Sequence, residues 1–176
     1  MPATSVLDSG MALPGWARFP NPVNELAAQT VAGGVAVLTV VALATGAWWL
    51  LLLLVLGFAA RALAGPRFSL LGRLATQVVA PRLGPARMVP GPPKRFAQCI
   101  GLGLTTVAAV ADLGFGLTGL AAGLLGVLLV FALLESVVGF CAGCWLFGLL
   151  MRRGWIGKDT CAECNDIWAR YARPTT

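Results

Sequence analysis

The sequence has no histidine, a single tyrosine and only 11% charged residues. Without histidine there are no imidazole general bases, no Ser-His or Cys-His dyads and no imidazole metal ligands. A metal site would need Cys, Asp, Glu or backbone oxygens. Soluble domains carry about 25% charged residues, and this chain is 58% hydrophobic over 176 residues. A soluble fold of that size cannot hide so much apolar surface, whereas a bilayer removes the need to. The first residues lack the basic start and the apolar core, roughly 7–15 residues long, of a secretory signal, and they include Asp8 and Glu25. Insertion is therefore expected to rely on the first membrane helix. Acids are few, seven against thirteen bases. The bases flank apolar runs, so they mark topology and lipid headgroup contact, and no nucleic-acid partner is expected.

Long apolar sequence is what the chain does have. The runs are unbroken rather than alternating, which favours helices over barrel strands. The expected fold is an all-α polytopic integral membrane bundle of four transmembrane helices, with both termini in the cytoplasm. Residues 1–29 read as a cytoplasmic N-terminal segment. Pro20 and Pro22 discourage a helix before Val23, and Asn24 can cap one that starts near Glu25. Residues 30–151 read as the transmembrane domain. The stretch 30–64 would make a helix about 52 Å long, against a hydrocarbon core of about 30 Å. It is either one tilted span or a hairpin broken at Thr45-Gly46 with arms of about 16–18 residues. Trp48 and Trp49 look like an interfacial anchor and favour the hairpin.

Residues 61–95 carry Arg61, Arg67, Arg73, Arg82, Arg87, Lys94 and Arg95 and no acid. This places the loop in the cytoplasm. Within it, FSLLGRLATQVVAPRL has Leu70, Leu71, Leu74, Val78 and Leu83 near helical spacing. That segment either lies on the inner leaflet or packs on the bundle. Pro90-Gly91-Pro92-Pro93 stops any helix before the next span. Residues 96–151 divide near Leu113-Gly114-Phe115-Gly116 into a third helix, about 96–113, and a fourth that starts near 117 and runs toward Arg152 and Arg153. Residues 152–176 form a cytoplasmic tail. Gly116, Gly119, Gly123 and Gly126 make a small-residue stripe expected to pack against another helix. GLGLTT lacks the Lys and the preceding strand of a phosphate loop.

The chemistry is expected at sulfur. Four of the five cysteines form CAGC (Cys141, Cys144) and CAEC (Cys161, Cys164); the fifth is Cys99. The i, i+3 spacing puts both sulfurs of a pair on one helical face or in one turn, ready for a disulfide or a metal. The loop charges put all five near the inner face of the membrane, where stable structural disulfides are disfavoured. A break at Gly139-Phe140-Cys141 would place Cys141 at a helix N-terminus, where the dipole favours a thiolate. Cys141 is then the nucleophile, Cys144 its resolving partner and Glu135, shortly upstream, a proton acceptor or donor. Cys99 or the tail pair would relay to a soluble thioredoxin-like protein. The plain alternative for Gly139-x-x-x-Gly143 is a packing seam, and for Glu135 a hydrogen-bonded acid that fixes helix contacts. Asp112 is expected near the outer interface. The two pairs together, Cys141-x2-Cys144-x16-Cys161-x2-Cys164, also fit a tetrathiolate zinc site in a membrane scaffold subunit. CAEC on its own reads as a metal knuckle, a carrier disulfide or an idle tail. Whether the chain is an enzyme stays open. The partners expected are the lipid bilayer, a thioredoxin-like protein and a second copy of the chain.

Three segments, NPVNELAAQTVAGG, PPKRFAQCIG and LLESVVGFCAGCWLFGLL, resemble a bacterial membrane protein family catalogued as domain of unknown function 4395, common in actinobacteria. The family's marks map to Pro92, Pro93, Arg95, Phe96, Ala97 and Gln98, and to Gly139, Phe140, Cys141, Gly143 and Cys144. The resemblance covers roughly residues 20–150 and implies a membrane protein with a Cys pair in its last helix. The CAEC tail lies beyond it.

Overall fold

The computed structural model describes residues 19–161. The architecture is an all-α membrane bundle, joined at one end by a two-stranded ladder. After strand β1 (Val23–Asn24) come helices α1 (Glu25–Thr45), α2 (Leu50–Ala64), α3 (Leu70–Leu74) and α4 (Ala80–Leu83). Strand β2 (Met88–Val89) follows, then α5 (Gly91–Ala109), α6 (Thr118–Leu133) and α7 (Ala142–Arg152). Among the described residues, three continuous helices are long and apolar enough to cross a membrane: Glu25–Thr45, Gly91–Gly114 and Thr118–Val138. Leu50–Ala64 and Ala142–Arg152 are apolar but shorter.

The helix starts follow local chemistry. Asn24 caps α1, its side-chain oxygen accepting the Leu26 N–H at 3.1 Å. Gly46 ends α1 in the left-handed region at φ 66°, and Ala47-Trp48-Trp49 turn the chain into α2. The hairpin is therefore present, with arms of 21 and 15 residues rather than two near-equal ones. The first arm gains length because its cap lies at Asn24, well before residue 30.

The proline run also differs from expectation. Gly91, Pro92 and Pro93 form the first turn of α5 instead of a barrier before it. The first helical turn has no intrahelical use for its N–H groups, and proline's fixed φ suits it. Lys94 therefore belongs to the helix and is buried.

Buried stripes hold the bundle. On α1, Ala27, Val31, Val35, Thr39 and Ala42 recur at helical spacing. Ala121, Leu125, Leu128 and Ala132 do the same on α6, and Leu51, Leu54 and Phe58 on α2. Helix α5 packs on α2, α6 and α7, while α1 packs on α6 and α2. The outward faces remain apolar, with Val37, Leu52, Leu56, Val107, Val130 and Leu133 all exposed. Such a belt is what lipid, rather than water, accommodates.

The basic loop does two things. Residues 70–83 run helically through a π turn at Ala75–Val79, just before Pro81. Proline lacks an N–H and crowds the preceding turn, which a locally widened helix relieves. Gly72, Ala75 and Ala80 are buried, and Leu71 meets α1 at Gly34. Leu70, Leu74, Val78 and Leu83 stay exposed. The segment thus packs on the bundle through its small residues and keeps a leucine face outward. Strand β2 then pairs antiparallel with β1, Val23 opposite Val89 and Asn24 opposite Met88. This ladder ties the end of the loop to the start of α1.

Among the described residues, nothing packs on the glycine stripe. A Cβ built on Gly116, Gly119, Gly123 or Gly126 would meet nothing within 4 Å. The stripe lies off the face of α6 that carries the buried residues.

Candidate functional site

The longest apolar stretch breaks where the cysteines begin. Helix α6 continues through a π turn, Leu134–Val138, and stops at Gly139, which is left-handed at φ 75°. A side chain there would also meet Gln29 Nε2 at 2.8 Å. Phe140 carries the chain across the break. Cys141 is extended and caps α7, its Sγ accepting the Cys144 N–H at 3.2 Å. Sulfur here occupies the place that a Ser or Asn oxygen takes at ordinary N-caps. Cys141 and Cys144 are joined as a disulfide, with Cα atoms 5.2 Å apart. On reduction, the helix N-terminus that now binds Sγ favours a thiolate at the same atom.

The packing alternative for the glycine pair holds as well. A Cβ on Gly143 would lie 2.6 Å from Ala97 Cβ and 2.7 Å from Ala97 Cα. Gly139 makes the break, and Gly143 lets α7 close onto α5. Further along that contact, the rings of Phe96 and Phe147 have centroids 5.6 Å apart.

Two cavities flank the break. One, of about 400 Å³, is lined by Cys141 and Cys144 together with Glu25, Pro93, Lys94 and Gly139. The disulfide thus opens at the end of the bundle that holds the ladder and the basic loop. The other, of about 440 Å³, is walled by aliphatic and aromatic residues of α1, α2, α5 and α6, with Arg61, Gln98 and Glu135 among them. Phe140 and Trp145 line both. Lys94 Nζ donates to Glu135 Oε1 at 2.8 Å, both side chains being largely buried. Arg61 Nε donates to Gln98 Oε1 at 2.8 Å and Nη1 to Ser69 Oγ at 3.0 Å. The guanidinium also lies 4.6 Å from the centre of the Phe58 ring, a cation–π contact.

The structure brings some of the expected site residues together. Cys141 and Cys144 are bonded, and Glu135 is one ion pair away from their cavity, its partner being Lys94. Cys99 is free and exposed and lines neither cavity. It lies one residue from Gln98, and about 100° per residue around a helix is enough to turn it outward. Cys161 is buried against Phe147 and Met151. That contact folds the turn Lys158–Cys161 back onto α7. Cys164, and with it the CAEC pair and the four-sulfur zinc site, falls outside the described residues. Among the described residues, no three His, Cys, Asp or Glu side chains gather closely enough to hold a metal. Asp112 lies in the π turn that ends α5, where its carbonyl accepts the Gly116 N–H at 2.9 Å.

Lys94 and Arg61 are the site residues that the sequence did not reveal. Both read as loop charges that fix topology. The signal for Lys94 was present in the proline pair, which marks a helix start. The signal for Arg61 was its position inside an apolar helix, where an ionisable residue is a functional candidate by default.

The three segments quoted above meet at this end of the bundle. Asn21 Oδ1 accepts the N–H of Gly91, just before the second segment, at 2.9 Å, Lys94 Nζ donates to Glu135 Oε1 at 2.8 Å, and Ala97 lies under Gly143. The sequence pattern of a family described as a domain of unknown function, DUF4395, matches residues 23–152. The chain belongs to that family. The DUF4395 match ends at the last turn of α7, so it takes in the ladder, both cavities and the disulfide. No curated protein and no solved structure matches the chain.

Proposed function

We propose that this DUF4395 protein is a membrane thiol–disulfide exchange protein, with Cys141 and Cys144 as the working pair. The observation that carries the proposal is local. Cys141 caps the helix containing Cys144, is bonded to it, and shares an open cavity with the Lys94 ammonium. A helix N-terminus and a nearby cation both favour the thiolate, which is the attacking species. In the reduced protein the Cys141 thiolate attacks a disulfide of a soluble, thioredoxin-like partner. One partner sulfur leaves as a thiolate and a mixed disulfide forms. Cys144 then attacks Cys141, releases the second partner sulfur and closes the intramolecular disulfide. Glu135, the carboxylate paired with Lys94, is the base that takes up the Cys144 proton, passed on through the Lys94 ammonium.

The proposed topology has four crossings, with Leu50–Ala64 as the short one, and both termini in the cytoplasm. The positive-inside rule supports it, because the basic loop and the disulfide share one end of the bundle. A disulfide facing a reducing compartment is suited to turnover rather than to bracing a fold. The tail cysteines Cys161 and Cys164 are a second station for electrons on this reading.

The test is to purify the chain in detergent and measure free thiols and zinc together. The expected result is a Cys141–Cys144 bridge that a reduced thioredoxin-type protein opens, and a mixed disulfide trapped at Cys141 when the Cys144→Ser variant is mixed with the oxidised form of that protein. Stoichiometric zinc that is lost on Cys161→Ser would replace this function with a structural tetrathiolate site.

A further inference from the structure

The cavity beside the disulfide has a composition of its own. Its volume is about 440 Å³, and its polar side chains, Arg61, Gln98 and Glu135, are few among apolar ones. Phe131, Phe140 and Trp145 line it and are exposed. In a membrane such rings face acyl chains, so the mouth admits a molecule from the lipid phase. Pockets of this size and character take an apolar body with a few acceptor atoms.

Arg61 supplies the next observation. It is 3% exposed, and its bonded partners, Gln98 and Ser69, are both neutral. Glu135 acts on it only at longer range, being bonded to Lys94. A buried guanidinium with no bonded carboxylate is costly to keep. It is well placed to stabilise negative charge that develops on a ligand oxygen.

The ion pair supplies the last. Lys94 lines the disulfide cavity, Glu135 lines the apolar one, and they touch at 2.8 Å. One proton-carrying contact therefore links the two chambers.

We propose that the apolar cavity binds a lipid-soluble quinone, and that this quinone is the oxidant of the Cys141–Cys144 dithiol. The proposal rests on the thiol–disulfide function above, run in its reverse direction: a reduced partner opens the Cys141–Cys144 bridge and becomes a disulfide itself, and the quinone re-forms the bridge. Two S–H bonds break and one S–S bond forms. The two electrons pass to the quinone ring, and two protons reach its carbonyl oxygens to give the quinol. Arg61 and Gln98 are the hydrogen-bond donors for one carbonyl. Lys94 and Glu135 carry protons from the thiol side.

Binding and electron transfer are tested separately on the full chain in detergent. The Cys141→Ser/Cys144→Ser variant, which lacks the working pair, is titrated with a decyl-chain benzoquinone while tryptophan fluorescence is followed. Saturable quenching is expected, weakened at least tenfold by Arg61→Gln. Leu104→Phe, a bulkier side chain on the apolar wall that leaves the charged residues unchanged, should weaken it likewise. Absence of saturable binding overturns the quinone site and leaves the exchange function standing. So does dodecanoate binding with the same Arg61 dependence where the quinone shows none, since the cavity then holds an acyl-chain anion. The reduced wild-type protein is next mixed with the quinone without oxygen. One quinone consumed per disulfide formed is expected, more slowly in Glu135→Gln. Binding without reduction overturns the electron transfer.

Discussion

Gly143→Ala offers a direct trial of how α7 is seated. The new methyl carbon would lie 2.6 Å from Ala97 Cβ and 2.7 Å from its backbone Cα. A backbone atom cannot rotate aside, so α7 must move off α5 or α5 must shift. Overpacking of this kind costs about 1–3 kcal/mol. Gly148, on the same helix, is the control, because a Cβ there meets nothing within 4 Å. Gly148→Ala should gain about 0.5–1 kcal/mol from helix propensity alone. Gly143, in the first turn, gains no more than that from propensity. The gap between the two variants therefore measures the clash, about 5- to 150-fold in the folding equilibrium. For a chain of this size it corresponds to roughly 2–4 °C of melting temperature per kcal/mol. Thermal unfolding in one detergent, followed by circular dichroism, reads both variants. A Gly143→Ala protein that melts at or above Gly148→Ala would refute the seating of α7 on Ala97.

Lys94→Met alone should destabilise the protein by about 3 kcal/mol or more, because it leaves Glu135 charged and unpaired, while Lys94→Met/Glu135→Leu should recover most of that loss; denaturant unfolding of the two variants and the parent checks this. In the reduced double variant, Cys141 should react more slowly with iodoacetamide at pH 7 than in the parent, since the cation that favours its thiolate is gone. Gly139→Ala should cost about 1–2 kcal/mol, from the left-handed backbone at φ 75°, and the melting temperature reports it. Cys99→Ser should leave the reduction rate of the Cys141–Cys144 bridge unchanged, and a large drop would restore Cys99 as a relay.

Much of the framework was legible in the sequence for identifiable reasons. Asn24 before Glu25 states a helix cap, Gly46 beside two tryptophans states a turn, and the GFCAGC run contains both the break and the capping residue. What stayed hidden depended on contacts between distant segments. Lys94 and Arg61 look like topology charges until the partner helices are seen: the proline pair marks Lys94 as helical and the apolar helix marks Arg61 as unusual, but neither local signal names the partner. The choice between leaflet and bundle for the 70–83 segment stayed open for a related reason. Its leucines mark an apolar surface, but the contact with the bundle runs through Leu71 against Gly34 and through Ala75 and Ala80 in the core, while Gly72 makes room for the Pro66 backbone. The glycine stripe on α6 shows the reverse. Small residues permit close packing but do not require it, and among the described residues no helix fills the space.

Differential alkylation of the intact protein, equilibrated across a series of thiol–disulfide redox buffers and read by mass spectrometry at each cysteine, tests the working pair most directly. The expected result is a reversible two-electron transition in which Cys141 and Cys144 lose and regain their thiols together, while Cys99 stays alkylatable throughout. Thiols at 141 and 144 that persist under every oxidising buffer, or a bridge that no dithiol opens in the folded protein, would contradict a redox role for the pair.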